Sequence, residues 1–298
     1  MLNISVKDTL AYLKHYKYHD LVSILQQMYN ECPKINDNLA HESRKNRHKR
    51  TMWREQIALN LPILYLASIY LHNFVKENKI KNLLFATRDC AHWYKIYSAL
   101  YPHEKVHYFH CSRNMFNTAR TKSRPDYIQY IDKITDNDLK HSVFIDIHGT
   151  GQRMYDFFYQ RYNKIPSCFI LSSGHSSPNT LSDEIQDLIY KERCEFLVFG
   201  ASGSPIEMLN FDVIGTCNDY KNKGPVRAPL EYDEKYVSTY HECVNRFIEI
   251  IKQNPLGDRY KHGLKCLKKT ITYLFEPALD ESPIISRWIV HERKHIAN

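Results

Sequence analysis

The stretch from Ser142 to Met154 constrains the possible folds of this chain more than any other segment. Its sequence is Ser-Val-Phe-Ile-Asp-Ile-His-Gly-Thr-Gly-Gln-Arg-Met. The apolar residues before Asp146 predict a short buried strand, the small residues at 148–151 predict a tight turn, and apolar positions at helical spacing follow from Met154 onward. In α/β proteins this succession of strand, acidic residue, glycine turn and helix often holds a phosphate, because free amides and the positive end of the helix dipole face the anion.

The glycine turn by itself does not identify a ligand. Gly149-Thr-Gly151 is neither a complete dinucleotide fingerprint nor a P-loop, since no Gly-Lys-Ser or Gly-Lys-Thr follows it. A turn that only joins a strand to a helix would show the same residues. Residues elsewhere in the chain are needed to distinguish a phosphate site from a turn that only joins a strand to a helix.

Length, charge and cysteine usage narrow the class of protein. The 298 residues can bury a large core, and the N-terminus lacks the pattern of a secretory signal. The most apolar run, 57–71, is interrupted by Asn60 and Pro62, which argues against a membrane span and against a membrane partner. The eight cysteines are scattered without a Cys-x-x-Cys pair, which predicts a reducing, cytoplasmic location. The formal charge of +8 predicts an anionic partner.

Strand and helix patterns alternate through the middle of the chain and predict five buried strands separated by helices. The strands lie at 80–86, 106–110, 143–146, 167–171 and 195–199. Successive β-α-β units of this kind predict an α/β fold with a mainly parallel, Rossmann-like sheet and with ligands at the carboxyl ends of its strands. Helical patterns at both ends predict three regions. These are an N-terminal helical segment 1–52, an α/β core 53–230 and a C-terminal helical segment 231–298.

Polar, charged loops follow three consecutive predicted strands. They begin with Thr87-Arg88-Asp89, with Ser112-Arg113 and with the segment 146–152. Because the carboxyl ends of parallel strands lie at one edge of a sheet, we expect these residues to converge on one site. Their arginines, carboxylates, hydroxyls and glycine turn suit a phosphorylated ligand that is rich in hydroxyl groups. An internal ion pair of Arg88 with Asp89 or Asp146 would explain some of the same charges without a ligand.

The order of these motifs resembles the type I phosphoribosyltransferase fold over about residues 80–200. In that family a first strand ends in a pyrophosphate-binding loop, and a second strand ends in a basic residue ahead of a mobile catalytic loop. A later strand carries acidic residues and a turn that binds the ribose 5-phosphate. The corresponding segments here, in the same order, are Ala86-Thr-Arg-Asp89, Ser112-Arg113, residues 117–124 and Ile145-Asp-Ile-His-Gly-Thr-Gly151.

This resemblance implies a phosphoribosyltransferase-like transferase whose substrate carries a phosphoribosyl or pyrophosphate group. It implies catalytic roles for Asp146 and Arg88, and for Lys122 as a residue of the mobile loop. It also implies Mg²⁺ as a cofactor, with Asp146 as its ligand. The predicted substrate-binding residues are Thr87, Asp89, Ser112, Arg113, His148, Gly149, Thr150, Gly151 and Gln152.

A second resemblance concerns a domain that follows a haloacid-dehalogenase-like segment in some bacterial surface-polysaccharide proteins. Its motifs are a strand ending in Phe-Leu-(Ala/Ser)-Arg-Asp-Gly, a later Ser-Arg, and a strand ending in Asp-Ile-Gly followed by Gly and Gln. Similar segments here are Phe85-Ala-Thr-Arg-Asp89, Ser112-Arg113 and Asp146-Ile-His-Gly-Thr-Gly-Gln152, with Cys90 in place of the first glycine. This resemblance covers roughly 55–175 and points to the same site residues.

Two other functions fit the sequence. The segment Asp146-Ile-His-Gly-Thr150 resembles the Asp-x-Asp-Gly-Thr motif of haloacid-dehalogenase phosphatases, in which Asp146 would be the nucleophile and Ser172 or Ser173 would bind phosphate. Alternatively, the chain is a non-catalytic module that binds a phosphosugar or a nucleic acid. The densest basic run, 41–50, could contact nucleic-acid phosphates, but it lacks interleaved aromatic residues, and a solvated helix or loop is favoured. The oligomeric state stays open.

Overall fold

A sheet of five parallel strands forms the centre of the computed structural model. The strands, β1 to β5 in chain order, are Asn82–Ala86, Lys105–Phe109, Ser142–His148, Ser167–Ser172 and Cys194–Val198. They lie side by side in the order β2-β1-β3-β4-β5, and all four neighbouring pairs are parallel. The residues that the structure describes are 5–32, 49–116, 124–201, 205–222, 224–230, 234–254 and 263–275.

The central strands are apolar because the sheet is covered on both faces. Every residue of β1 and of β4 is buried, as are the first four residues of β3. Near-continuous apolar runs of this type are typical of parallel sheets that carry helices on both sides. The edge strand β2 differs, since only Phe109 at its end is buried. The predicted α/β fold with a mainly parallel, Rossmann-like sheet is confirmed, and each predicted strand is found close to its predicted position.

Helices precede, connect and follow the strands. The helices of the described residues, α1 to α10 in chain order, are Val6–His15, His19–Asn30, Lys49–Glu77, Ala91–Leu100, Pro125–Ile134, Gln152–Tyr162, Asp183–Tyr190, Pro205–Leu209, Glu234–Gln253 and Leu264–Phe275. Local sequence explains several of their ends. In α1, for example, Ser5 Oγ accepts from the Asp8 amide at 3.2 Å, and the Asp8 carboxylate accepts from the Ser5 amide at 3.1 Å, which is a capping box.

The long helix α3 crosses the core. It contains a π-helical turn at Gln56–Asn60 and is buried almost all round. Among the described residues it is the one helix that is long and apolar enough to cross a membrane by length and composition, with a mean hydropathy of 1.3 over 18 residues. However, 89% of that stretch is buried inside the fold, where Phe74 packs against Phe169 of β4 with ring centroids 5.5 Å apart. The burial is that of a core helix.

The helical segments at both ends of the chain pack onto the same core. Tyr18 in the turn before α2 lies with its hydroxyl 3.3 Å from Thr270 Oγ1 of α10, and Lys268 of α10 pairs with Glu195 of β5 at 2.5 Å. The buried apolar residues from α1 to α10 form one continuous cluster. The three regions of the sequence therefore share a single hydrophobic core.

Two described elements were not predicted from the sequence. One is the short helix α8, and the other is an antiparallel hairpin of β6 (Cys217–Lys221) and β7 (Gly224–Arg227). The two hairpin strands have only five and four residues and little apolar alternation, so their sequences carry no strand signal. Ser112 Oγ donates to Cys217 O at 2.5 Å, which fixes the hairpin to the end of β2. The predicted helix near 283–292 lies outside the described residues.

Candidate active site

The carboxyl ends of β1 and β3 form a crevice in the sheet. These strands are neighbours, with Phe85 paired to Ile145, so the loop after β1 lies beside Asp146. From β1 the chain continues to β2 on one side, whereas β3 lies on the other side. Such a change of direction is the topological switch point at which open α/β sheets bind their ligands. Arg88 and Asp89 therefore lie at the same edge of the sheet as Asp146.

The loop after β1 is a tight turn that Thr87 connects to the end of β2. The amide of Cys90 donates to Ala86 O at 3.1 Å, which closes the turn. Thr87 Oγ1 donates to Cys111 O at 3.0 Å and accepts from the Cys111 amide at 3.2 Å. The peptide bond between Thr87 and Arg88 is cis. The hydroxyl of Thr87, a predicted substrate-binding residue, is thus engaged with the backbone and joins two loops of the site.

Arg88 is oriented from two sides. Its Nε donates to Asp89 Oδ1 at 3.3 Å, and its guanidinium carbon lies 4.4 Å from the ring centre of Phe211, which is a cation–π distance. The Tyr108 hydroxyl lies 3.4 Å from Arg88 O and donates to Asp212 Oδ2 at 2.8 Å. The side chains of Arg88 and Asp89 are 19% and 23% exposed. They are therefore held in place but remain within reach of a ligand.

The carboxyl group of Asp146 holds its proton to a higher pH than an ordinary aspartate does. Burial raises its pKa, and the negative charge of Asp89 raises it further, to about 8. The amides of Ile147, 2.8 Å from Oδ1, and of His148 oppose this shift, as does the positive charge of Arg113. A protonated aspartate can donate a hydrogen bond as well as accept one, so Asp146 can approach an anionic oxygen without repulsion.

Glu207 is a site residue that the sequence analysis missed. It lies in α8, which follows the loop after β5 and so comes to the same edge of the sheet. Its carboxyl group is hydrogen-bonded to Asp89, and burial, followed by the charges of Asp89 and Asp146, raises its pKa well above the usual value. Two carboxyl groups can hydrogen-bond only when they hold a proton between them. The sequence did contain one indication of this residue. An acidic residue directly follows Pro205-Ile, in the first turn of a helix that comes after a strand-end loop.

Gly151 is required by the turn into α6. Its backbone is left-handed, with φ 76° and ψ −9°, at the N-cap of the helix. A Cβ atom at this position would lie 3.3 Å from Cys168 Sγ and 3.4 Å from Ile170 Cδ1 of β4. Both the backbone conformation and the close approach to the sheet therefore favour glycine.

The amides around this turn are only partly available to a ligand. The Gly149 amide donates to a carbonyl of β4 at 3.1 Å, and the Gln152 amide donates to Thr150 Oγ1 at 3.3 Å. Within the described residues, the amides of Thr150, Gly151, Arg153 and Met154 make no hydrogen bond. The anion position that the sequence predicts is thus reduced to these four amides and the positive end of the α6 dipole.

His148 is fixed as one tautomer by Ser172. The Ser172 hydroxyl donates its only proton to Ile147 O at 2.8 Å, so it must accept from His148 Nδ1, which lies 3.1 Å away. Burial lowers the pKa of His148, which favours the neutral ring. The neutral ring then has an unprotonated Nε2, which can accept a hydrogen bond from a ligand hydroxyl.

Two further predicted residues use their side chains within the protein. Ser112 donates to the hairpin, as described above, and its Oγ also accepts from the Met115 amide at 3.2 Å. Gln152 donates to Asp156 at 2.8 Å and accepts from the Ser182 hydroxyl. Both residues therefore hold loops around the crevice in place.

Arg113 and Lys122 complete the predicted set. The side chain of Arg113 is exposed and, within the part of the chain that the structure describes, makes no hydrogen bond or ion pair. Its positive charge is thus available to an anion. Lys122 lies outside the described residues, as does the predicted mobile loop up to residue 123. Arg124, the last residue of that loop, pairs with Asp219 at 3.5 Å.

The described residues contain no group of three or more His, Cys, Asp or Glu side chains that could hold a metal ion. Mg²⁺ needs fewer protein ligands, because it is commonly bound through one or two carboxylates together with substrate phosphates. Asp146 and Asp89 provide two such carboxylates, close enough for the charge of one to raise the pKa of the other. Their oxygen donors fit this mode of binding, and the Mg²⁺ site stays a prediction.

No protein-family model, curated protein or solved structure shows a significant match to this chain. The fold and the crevice therefore define its class, which is a doubly wound α/β protein with a charged crevice at the β1–β3 switch point. Any function has to be argued from the geometry and chemistry of that site, because the fold alone hosts many activities.

Proposed function

We propose that this protein is a transferase acting on a phosphoribosyl- or pyrophosphate-bearing substrate at the carboxyl ends of the parallel sheet. The observation that carries the proposal is that Arg88, Asp89 and Asp146 lie together at the β1–β3 switch point, where α6 begins. The phosphoribosyltransferase-like assignment of the core is part of the same proposal. It is supported by the parallel sheet and by the order of the motifs along it.

The start of α6 would bind the phosphate at one end of the substrate. The amides of Thr150, Gly151, Arg153 and Met154 have no other partner among the described residues, and the helix dipole adds partial positive charge. Arg113 would add a full positive charge, because its exposed side chain is free to move towards the anion.

Arg88 would bind the pyrophosphate group. Its guanidinium is already oriented by Asp89 and Phe211, so little conformational entropy is lost when the anion binds. As pyrophosphate leaves, negative charge grows on its oxygens, and a fixed arginine stabilises that charge. Lys122 would contribute a further positive charge from the loop segment.

Asp146 would orient the sugar hydroxyls and share the substrate's Mg²⁺ with Asp89. When bound, the ion would neutralise charge on the pyrophosphate oxygens. A cation close to Asp146 stabilises the ionised carboxylate and lowers its pKa. Because the pKa in the free protein is about 8, binding near neutral pH should release a proton from this group.

The haloacid-dehalogenase-like alternative has less support. A nucleophilic Asp146 must be ionised, whereas burial and the charge of Asp89 raise its pKa and disfavour the ionised form in the absence of a cation. Of the two candidate phosphate-binding hydroxyls, that of Ser172 already donates its proton, to Ile147 O at 2.8 Å. The buried Ser173 accepts from the His175 amide at 3.3 Å and keeps its own proton.

The proposal includes a phosphorylated small molecule as the partner and a reducing, cytoplasmic location. All eight cysteines lie in the described part of the chain, and all are free thiols, which a reducing compartment preserves. Nucleic-acid binding would depend on the basic run 41–50, of which 41–48 lie outside the described residues. Nucleic-acid binding would be indicated if none of the small phosphorylated ligands binds.

A thermal-shift screen tests the proposal. Wild type and Asp146→Ala are heated with Mg²⁺ and, in turn, phosphoribosyl pyrophosphate, pyrophosphate, nucleotides and sugar phosphates. A ligand at a hundred times its dissociation constant should add about 2.7 kcal/mol to the wild-type stability. We expect this shift with phosphoribosyl pyrophosphate or pyrophosphate and its loss in Asp146→Ala.

The other outcomes would change the conclusion. A shift with none of these ligands would contradict the proposal and favour a macromolecular partner, whose binding should then weaken steeply with salt if it is a nucleic acid. A shift that survives in Asp146→Ala would place the ligand elsewhere. If the predicted shift occurs, release of pyrophosphate in the presence of candidate acceptors distinguishes a transferase from a module that only binds.

A further inference from the structure

Phe211 contacts Arg88 through the face of its ring. The guanidinium carbon lies 4.4 Å from the ring centre, and Phe211 is only 3% exposed, so one side of the contact is shielded from water. The contact is a cation–π interaction, in which the positive charge of the guanidinium lies over the negative face of the ring. It is not a hydrogen bond, so it can persist while guanidinium N–H groups bind phosphate oxygens.

Acidic groups beside Arg88 compete with any anionic ligand. Asp89 accepts from Arg88 Nε at 3.3 Å, and Glu207 is hydrogen-bonded to Asp89. An arginine that could turn freely would direct more of its donors towards these carboxyl groups and fewer towards a ligand. Contact with the Phe211 ring restricts this movement, because the guanidinium carbon has to stay over the ring for the cation–π interaction to persist.

The backbone of Phe211 is itself anchored by two helices. Phe211 O lies 3.2 Å from His241 Nε2, and His241 Nδ1 lies 3.2 Å from Lys95 Nζ. Since a carbonyl oxygen can only accept, His241 carries its proton on Nε2, and its Nδ1 accepts from Lys95. His241 belongs to α9 and Lys95 to α4. The C-terminal helical region thus helps to place the ring that orients Arg88.

From this arrangement we infer that Phe211 is a positioning residue for Arg88 and that it sets the affinity of the crevice for a pyrophosphate group. The inference rests on the proposed function, because it requires Arg88 to bind the anion. On this inference, Phe211 in the segment after α8 belongs to the site. Helix α9 contributes to the position of Phe211 through His241.

A double-mutant cycle with inorganic pyrophosphate and Mg²⁺ tests the inference by isothermal titration calorimetry. Phe211→Leu should weaken pyrophosphate binding about tenfold, whereas Phe211→Tyr, which keeps the aromatic face, should stay within about twofold of wild type. In an Arg88→Ala background, Phe211→Leu should have no further effect, because Phe211 acts through Arg88. If Phe211→Leu does not fold, Phe211→Met replaces it, since methionine fills a similar volume without a ring.

Phe74→Leu is the matched control. Phe74 is 6% exposed and lies in α3 against Phe169, so its variant loses a buried ring elsewhere in the core. Equal pyrophosphate affinities of Phe211→Leu and Phe74→Leu would overturn the inference. So would an effect of Phe211→Leu that is as large in Arg88→Ala as in wild type. If wild type bound no pyrophosphate, both the proposed function and this inference would be contradicted. If wild type bound pyrophosphate but the effects of the Phe211 and Arg88 substitutions were additive, only this inference would be contradicted.

Discussion

Replacing Asp146 by asparagine should stabilise the protein more at pH 8 than at pH 5. The pKa of Asp146 is raised from 3.8 to about 8 in the folded protein. Between these two values the folded state binds more protons than the unfolded state, so the free energy of unfolding of wild type falls as the pH rises from about 4 to about 8. Asparagine has nearly the same shape as aspartate and does not ionise, so the free energy of unfolding of Asp146→Asn lacks this fall with rising pH.

The magnitude follows from the size of the shift. A rise of about four pKa units corresponds to about 5 to 6 kcal/mol when the carboxyl group is ionised in both states. For one titrating group, about 3 to 4 kcal/mol of this develops between pH 5 and pH 8. Asp146 is only half-buried, and solvent screening reduces the value. We therefore expect the stability difference between Asp146→Asn and wild type to be about 2 kcal/mol larger at pH 8 than at pH 5.

Urea unfolding of both proteins at pH 5 and pH 8 measures this quantity. Titrating groups far from the crevice change the stability of both proteins alike, so the difference between them reports Asp146 together with the carboxyl groups coupled to it, Asp89 and Glu207. Asp183→Asn, on the exposed first turn of α7, serves as the matched control and should differ from wild type equally at both pH values. If Asp146→Asn also differed from wild type equally at both pH values, the folded protein would ionise Asp146 without cost, and the reasoning would be refuted.

Three further outcomes are expected. Gly151→Ala should lower the free energy of unfolding by about 2 to 3 kcal/mol, and Gly200→Ala by about 1 kcal/mol. Both glycines have positive φ, but only at Gly151 would the new Cβ atom contact Cys168. Equal losses of the two variants in urea unfolding would show that this contact does not affect stability. Arg113→Ala should weaken the binding of phosphoribosyl pyrophosphate severalfold by calorimetry, because it removes the charge beside the 5-phosphate, and should change stability by less than about 0.5 kcal/mol. Calorimetry of phosphoribosyl pyrophosphate with Mg²⁺ near pH 7, in buffers of different ionisation enthalpy, should show more protons released per complex by wild type than by Asp146→Asn, because only the wild-type carboxyl group can lose a proton to solvent.

Most of the architecture could be predicted because it depends on short segments. The five central strands are apolar runs that a parallel sheet buries on both faces, and helices at regular intervals separate them. Once the strands are parallel, the rule that their carboxyl ends share one edge brings the loop of Arg88 to Asp146. The predicted turn at Gly151 follows in the same way, because its glycine permits the left-handed backbone that starts α6.

The roles of individual polar groups were harder to predict. Hydroxyls such as those of Thr87 and Ser112 suggested ligand contacts, but they are hydrogen-bonded to backbone carbonyls of other loops. The Gly149 amide is likewise engaged with β4. A sequence shows which donors and acceptors exist, whereas their partners depend on which loops meet at the edge of the sheet.

The α/β class, the strand positions and the edge at which charged residues gather follow from the sequence, because apolar periodicity and glycine conformation depend on residues close together in the chain. The contact of Phe211 with Arg88 and that of Glu207 with Asp89 follow from the tertiary structure instead. These partners are far apart in the chain and meet only because the segment after β5 folds back over the crevice. The raised pKa of Asp146 belongs with them, since burial and the charge of Asp89 act on it through space.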